Sequence, residues 1–284
     1  MRIDSHQHFW TLSRSDYGWL TPSLVPLYRD FQPADLAGVM HRHDVVATVL
    51  VQAAATVAET DYLLRIADRH DFVRGVVGWA DLLAPDLETT LNRLGLNPRF
   101  KGVRPMLQEL PDVAWIAQPE LDRAAQALIA RDLSFDALVK PPHLPHLWRF
   151  AQRNPALRIV IDHGAKPEFG AGSRDAWRNA LRPLARLPNV FCKLSGLVTE
   201  AGSDWDVERL RPHVDDLLDL FGPRRLMWGS DWPVLELAAD YGRWVETSES
   251  LLTLLNPAER EAVWSQTANR FYQLAVRSPV ERPS

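Results

Sequence analysis

The sequence predicts an α/β protein of the (β/α)8 TIM-barrel class, on three observations. Eight short apolar segments rich in β-formers recur along the chain, at 2–8, 45–53, 73–81, 100–106, 134–140, 157–163, 189–195 and 224–231. Stretches with helical spacing separate them, at 61–70, 120–131, 144–154, 176–187 and 207–221. The chain has 284 residues, a length that suits α/β barrels of about 250 residues folding as one unit. Strands alternating with helices build βαβ units and a parallel sheet. An open doubly wound sheet is the alternative, but no GxGxxG follows an early strand.

The elements follow in order. The first strand carries His6-Gln7-His8. Residues two apart in a strand point the same way, so both imidazoles face one side near the C-terminal mouth. Residues 9–32 show little periodicity and read as a long loop at that mouth, where insertions shape substrate sites. The second strand ends near Gln52, the third near Trp79, and the fourth near Arg104, with Lys101 low in the strand. The fifth ends Leu138-Val139-Lys140-Pro141-Pro142. In the sixth, counting by twos puts Ile159, Ile161 and His163 on one face, before the tight loop Gly164-Ala165-Lys166-Pro167. In the seventh, Lys193 needs a partner inside a barrel strand. Cys192 alternates away from it and reads as a small packing residue. The eighth ends Gly229-Ser230-Asp231-Trp232-Pro233. Pro98, Pro188 and Pro223 precede strands, where a helix should stop. The organisation expected is one barrel domain over 1–275 and a polar, Pro-rich tail over 276–284 that frays.

Bulk properties exclude several classes. Hydrophobic residues make up 46% and charged residues 24%, which fits a soluble chain with a full core. The net charge is −4 and no basic block points to nucleic acid. No apolar run approaches the roughly 18 residues of a membrane span. The opening MRIDSHQHFW lacks the apolar core of a secretion signal, and the single Cys192 forms no internal disulfide. The expectation is a cytoplasmic protein; oligomeric state is not legible.

Each chemical group has a bland alternative. His6 and His8 alone are two hydrogen-bonded histidines, His163 a satisfied rim histidine, and Asp231 a helix N-cap. Together they are four ionisable groups at the ends of strands one, six and eight, the face that carries the site in such barrels. A carboxylate buried there without partners is costly. The combined pattern therefore reads as a site that binds a divalent metal or polarises a carbonyl oxygen. His41, His43, His70, His146 and His213 fall on helical or loop stretches and read as surface residues.

The order HxH, His, Asp resembles the amidohydrolase superfamily. The phrases IDSHQHFW, VLVQA, GVVGWADL, FKGVRPMLQE, VIDHGAKP, VFCKLSGLVTEA and RLMWGSDWPV resemble its sugar-lactonase branch, the L-fuconolactonase and L-rhamnonolactonase type, from about Arg2 to Leu274. The chain departs from many metal-bound members in lacking a histidine at the end of strand five, since His143 lies beyond two prolines. Strand four gives no bridging ligand, so a binuclear site is not expected. The resemblance implies a small-molecule sugar lactone as substrate. One zinc held by His6, His8, His163 and Asp231 is allowed by ligand type; the resemblance also admits a metal-free site. It implies that Asp231 activates water and the histidines stabilise the oxyanion. Trp10, Trp79 and Trp232 are candidates to cover a sugar's C–H faces, with rim packing as the even alternative. Gln52, Arg104 and Lys140 are candidates for hydroxyls or a carboxylate, and ion-pair or surface roles suit Arg104 and Lys140 equally. Two competing readings stand beside lactone opening: a zinc-dependent decarboxylase, which would want the strand-five histidine, and a silent barrel that binds a sugar acid.

Overall fold

All eight strands form, in the expected order, as one parallel sheet. The structure, a computed structural model, describes residues 1–170 and 172–276, so the tail expected from 276 falls outside it after Val276. The strands are β1 (Arg2–Gln7), β2 (Val45–Val51), β3 (Val73–Gly78), β4 (Phe100–Val103), β5 (Ser134–Ala137), β6 (Ile159–Ile161), β7 (Val190–Leu194) and β8 (Leu226–Trp228). Several are shorter than the sequence suggests, because the polar residues at their C-terminal ends leave the sheet for the loops that carry the site. Helices α1 (Pro33–Arg42), α2 (Val57–Arg69), α3 (Leu87–Leu94), α4 (Leu121–Ile129), α5 (Leu144–Arg153) and α6 (Ser173–Ala185) follow the first six strands. A short α7 (Leu197–Glu200) and α8 (Val207–Phe221) follow β7, and α9 (Tyr241–Leu251), α10 (Pro257–Glu261) and α11 (Thr267–Tyr272) follow β8.

The ring closes through the segment after β8. Asp231 N–H donates to the His6 carbonyl at 2.8 Å, and His8 N–H donates to the Trp232 carbonyl at 2.8 Å. The residues that will form the site therefore also seal the barrel.

Strand alternation sorts the core into two parts. Ile3, Ala47, Val49, Val51, Val77, Val160 and Met227 come from opposite sides of the sheet, yet they meet in one buried cluster, which only the barrel interior permits. Ala268, Phe271, Tyr272 and Leu274 join them and plug the N-terminal end. Leu50, Val76, Ile159, Ile161, Cys192, Leu194 and Trp228 belong to the larger cluster under the helices. Cys192 is thus a packing residue, as its alternation from Lys193 implies. His213 is not a surface residue: it is buried, 4.1 Å from the Phe169 ring and 5.4 Å from Trp177, ring centre to ring centre. Among the described residues no helix is long and apolar enough to cross a membrane.

Candidate active site

The site begins with β1. His6 lies in the buried run of that strand and His8 just beyond its end, and their Nε2 atoms lie 3.2 Å apart. The i, i+2 expectation holds. From β6 the third imidazole arrives differently than counting by twos suggests. Ile159 and Ile161 face the helices, so a continued strand would send His163 outward with them. Instead the strand stops, and His163, Gly164, Ala165 and Lys166 all take positive φ, between 50° and 62°. The left-handed turn swings the imidazole back into the mouth. The three that are not glycine cost on the order of 1–3 kcal/mol each and persist only where the surroundings hold them. Here Ser195 Oγ lies 2.9 Å from His163 Nδ1, and Trp177 Nε1 donates to the Gly164 carbonyl at 2.7 Å. Gly196 makes the approach possible, since a Cβ there would sit 2.6 Å from His163 Nδ1.

Asp231 completes the set from the loop after β8. Its Oδ1 is 3.4 Å from His8 Nε2, 3.6 Å from His6 Nε2 and 3.8 Å from His163 Nε2. Gly229 plays the same part for His6 that Gly196 plays for His163: its Cβ would fall 2.9 Å from His6 Cβ. All four side chains are buried.

Electrostatics sets their protonation. Burial lowers the pKa of His163 to about 4, depresses His8, and, with Lys193 adding to it, pushes His6 well below the usual imidazole range. Burial alone would raise Asp231. The three imidazoles outweigh it and hold the carboxyl well below the usual carboxylate range. At neutral pH the site is one carboxylate facing three neutral rings.

A metal fits this donor set. Ligands about 2.0–2.1 Å from a tetrahedral zinc lie about 3.3–3.4 Å from one another, close to the spacings above. His6, His163 and Asp231 form a group that can hold an ion, their ligand atoms within 4.8 Å of one another. His8 Nδ1 donates to the Val51 carbonyl at 2.8 Å, which leaves the Nε2 lone pair pointing into the site. His6 Nδ1 sits between Lys193 Nζ at 3.1 Å and Asp162 Oδ1 at 3.5 Å. A proton on that nitrogen points to Asp162 and frees Nε2 to coordinate; a lone pair there accepts from Lys193 and makes Nε2 a donor.

Beneath the imidazoles lies a charged floor. Lys193 Nζ is 2.6 Å from Asp136 and 3.0 Å from Asp162, all three fully buried, and Tyr272 OH donates to Asp136 at 2.6 Å. Lys193 has the partners its place in a strand requires, and its contact with His6 ties it to the site.

The mouth holds a cavity of about 220 Å³ lined by His8, Arg104, His163 and Asp231, by Trp19, Leu24 and Leu27 from the loop before α1, and by Met106, Gln108, Glu109 and Lys166 among others. Of the rim candidates only Arg104 reaches it. Arg104 Nη1 is 3.4 Å from both Asp162 and His6 Nε2, and Nη2 donates to the Gln52 carbonyl. Trp10 is fully buried, and its Nε1 donates to the Arg29 carbonyl at 2.8 Å. Trp232 packs on Phe9 and Phe31 and gives its Nε1 to Glu236. Both rings have spent their polar handles on the rim. Gln52 is buried one layer back, donating to the Arg104 carbonyl at 2.6 Å. Trp79 and Lys140 are absent from the lining. The aromatic wall comes instead from Trp19, whose Nε1 is anchored on the Ala53 carbonyl at 2.8 Å. The sequence carried no signal for it beyond the loop's position. His143 is engaged with the Lys140 backbone at 3.2 Å and takes no part in the cavity lining.

A family model described as Amidohydrolase matches residues 3–274. The chain belongs to the amidohydrolase family. This amidohydrolase is 47% identical over 287 residues to an L-fucono-1,5-lactonase of Burkholderia ambifaria, covering 100% of this chain and 97% of that protein. It is 41% identical to an L-fucono-1,5-lactonase of Burkholderia multivorans over 96% of each chain. A solved amidohydrolase structure from Burkholderia multivorans, with bound zinc, superposes with a TM-score of 0.90 at 40% identity, covering 96% of this chain and 99% of that one.

Proposed function

We propose that this amidohydrolase opens a sugar lactone of the L-fucono-1,5-lactone class to the sugar acid, with Asp231 activating the attacking water. The observation that carries the reading is a single carboxylate, Asp231, held 3.4–3.8 Å from three imidazoles beside a small cavity. The full-length likeness to two L-fucono-1,5-lactonases supports the substrate class. The cavity is smaller than the usual ~300–1,000 Å³ of ligand sites, which suits one sugar ring.

The steps follow from the groups present. The water oxygen adds to the lactone carbonyl carbon while its proton passes to Asp231. The carbonyl oxygen takes up negative charge beside the Arg104 guanidinium, and His6, His8 and His163 stabilise it electrostatically. The bond from that carbon to the ring oxygen then breaks, and Asp231 returns the proton to the ring oxygen. The free acid ionises and releases one proton. One divalent metal, zinc by ligand type, would be held by His6, His8, His163 and Asp231 and would polarise the carbonyl as a Lewis acid. Trp19, Leu24 and Leu27 exclude water from one side of the ring. Trp10, Gln52, Trp79, Lys140 and Trp232 support the rim rather than bind the sugar. Residues 1–275 act as one catalytic barrel, in the cytoplasm, on a small molecule, with no nucleic-acid or membrane partner.

The test is acid release from a panel of sugar lactones, followed with a pH indicator, with and without a chelator. L-Fucono-1,5-lactone is expected to turn over; a panel without turnover removes the reading. Chelator sensitivity separates the metal-assisted from the metal-free form. Carbon dioxide from an aromatic acid would support a decarboxylase instead.

A further inference from the structure

Asp231 works from a backbone conformation that L-residues avoid, with φ at 59°. Its side chain faces the imidazoles and the cavity, so the conformation must be imposed from elsewhere. The source is Asp4, two residues before His6 and completely buried. One carboxylate oxygen of Asp4 accepts the Ser230 N–H at 2.8 Å and the His6 N–H at 3.2 Å. The other accepts the Ser230 hydroxyl at 2.5 Å and the Tyr241 hydroxyl at 3.0 Å. Ser230 Oγ in turn accepts the Trp232 N–H at 2.9 Å. The backbone N–H groups of both neighbours of Asp231 are therefore tied to one buried carboxylate, that of Ser230 directly and that of Trp232 through the Ser230 hydroxyl. Among the described residues no cation lies against that carboxylate; its partners are neutral donors. A buried acid without a counter-charge is expensive where packing is all that is needed. Here it supplies several acceptor positions in a space the width of one side chain, which neither an amide nor an apolar residue can do.

We propose that Asp4, acting with Ser230 and Tyr241, is the positioning device for Asp231. It holds the turn after β8 in the left-handed conformation that aims the Asp231 carboxylate at His6, His8 and His163. Tyr241 opens α9, so the device also fixes that helix to the barrel rim. None of the three touches the substrate. The inference rests on the reading of Asp231 as the base that activates water.

The experiment compares the wild type with Asp4→Asn, Tyr241→Phe and Asp231→Asn on L-fucono-1,5-lactone. It measures kcat, KM, inhibition by the product acid and the melting temperature. Asp4→Asn keeps the volume but turns one acceptor into a donor. A displacement of the base by about 1 Å is expected to lower kcat roughly 100-fold. KM and product inhibition should stay within about twofold, because the cavity walls are untouched. Tyr241→Phe removes one donor and should lower kcat severalfold in the same pattern; it carries the test if Asp4→Asn fails to fold. Loss of activity in Tyr241→Phe that only follows loss of folded protein would overturn the proposal, as would a rise in KM at constant kcat in either variant. If Asp231→Asn is inactive while both other variants keep wild-type kcat, the positioning role alone fails. If Asp231→Asn itself turns over normally, the underlying assignment of the base fails.

Discussion

Lys193 shows how the site's charges depend on one another. It is fully buried with two carboxylates, Asp136 and Asp162, and its own ammonium is their shared counter-ion. Replacing it by methionine leaves Asp136 buried without a cation and Asp162 with Arg104 alone at 3.4 Å, and breaking such a pair costs about 3–5 kcal/mol. Lys193→Met should therefore lose that much stability in urea denaturation, and adding Asp136→Asn should recover part of it. A single variant as stable as the wild type would show that the acids are neutral or hydrated. At this scale the sequence was partly legible. His6, His8, Asp231 and the need of Lys193 for partners could be read from strand alternation and the expense of buried charge. His163 could be picked out as a site residue, but its direction could not, because it depends on a left-handed turn whose only sequence mark is Gly164. The roles of Trp10 and Trp232 could not be read either, since whether an indole N–H meets a sugar or a backbone carbonyl depends on the fold of the loop opposite.

Among the elements, the loop between β1 and α1 and the N-terminus of α2 act together. The loop brings Trp19 to the cavity and rests it on Ala53. Ala53 and Ala54 in turn donate their N–H groups to Glu59 in the first turn of α2, at 2.7–3.0 Å. Trp19→Ala removes an aromatic wall without touching the reacting groups. It should raise KM about tenfold with kcat nearly unchanged, an apolar contact of roughly 1–1.5 kcal/mol; a fall in kcat alone would place Trp19 in the chemistry. Glu59 gives a pH prediction. Burial raises its pKa from 4.5 to about 7. The folded protein therefore binds a proton that the unfolded chain has released, and this stabilisation is present at low pH and lost as pH rises through 7. Between pH 5 and pH 8 the difference amounts to about 2.5 kcal/mol. The stability gap between wild type and Glu59→Gln should narrow by that much over the interval. A gap independent of pH would contradict the buried, protonated carboxyl. The loop's position was legible from its lack of periodicity, but Glu59 was not, because a glutamate in the first turn of a helix is ordinary.

For the molecule as a whole, one ring of strands does two jobs. Its N-terminal end is plugged by α11, where Phe271 and Tyr272 are buried among residues of opposing strands. Its C-terminal end carries the chemistry. Tyr272 also reaches through Asp136 and Lys193 to His6, so the plug and the site share one network. Phe271→Ala should cost about 3–5 kcal/mol by opening a cavity in the plug, seen as a lower urea midpoint; an unchanged midpoint would mean the barrel closes without it. The (β/α)8 class was fully legible, because eight apolar segments at this spacing leave few other topologies. The plug was not, since a short amphipathic stretch near the C-terminus reads equally as an outer helix. The proposed chemistry stands on Asp231 as the group that moves the proton. Its most direct test is the turnover of L-fucono-1,5-lactone by Asp231→Asn, with folding checked by melting. Loss of at least about 1,000-fold in kcat with an intact fold is expected, on the scale of losing an essential base together with the charge it presents. Turnover within tenfold of the wild type would contradict the account.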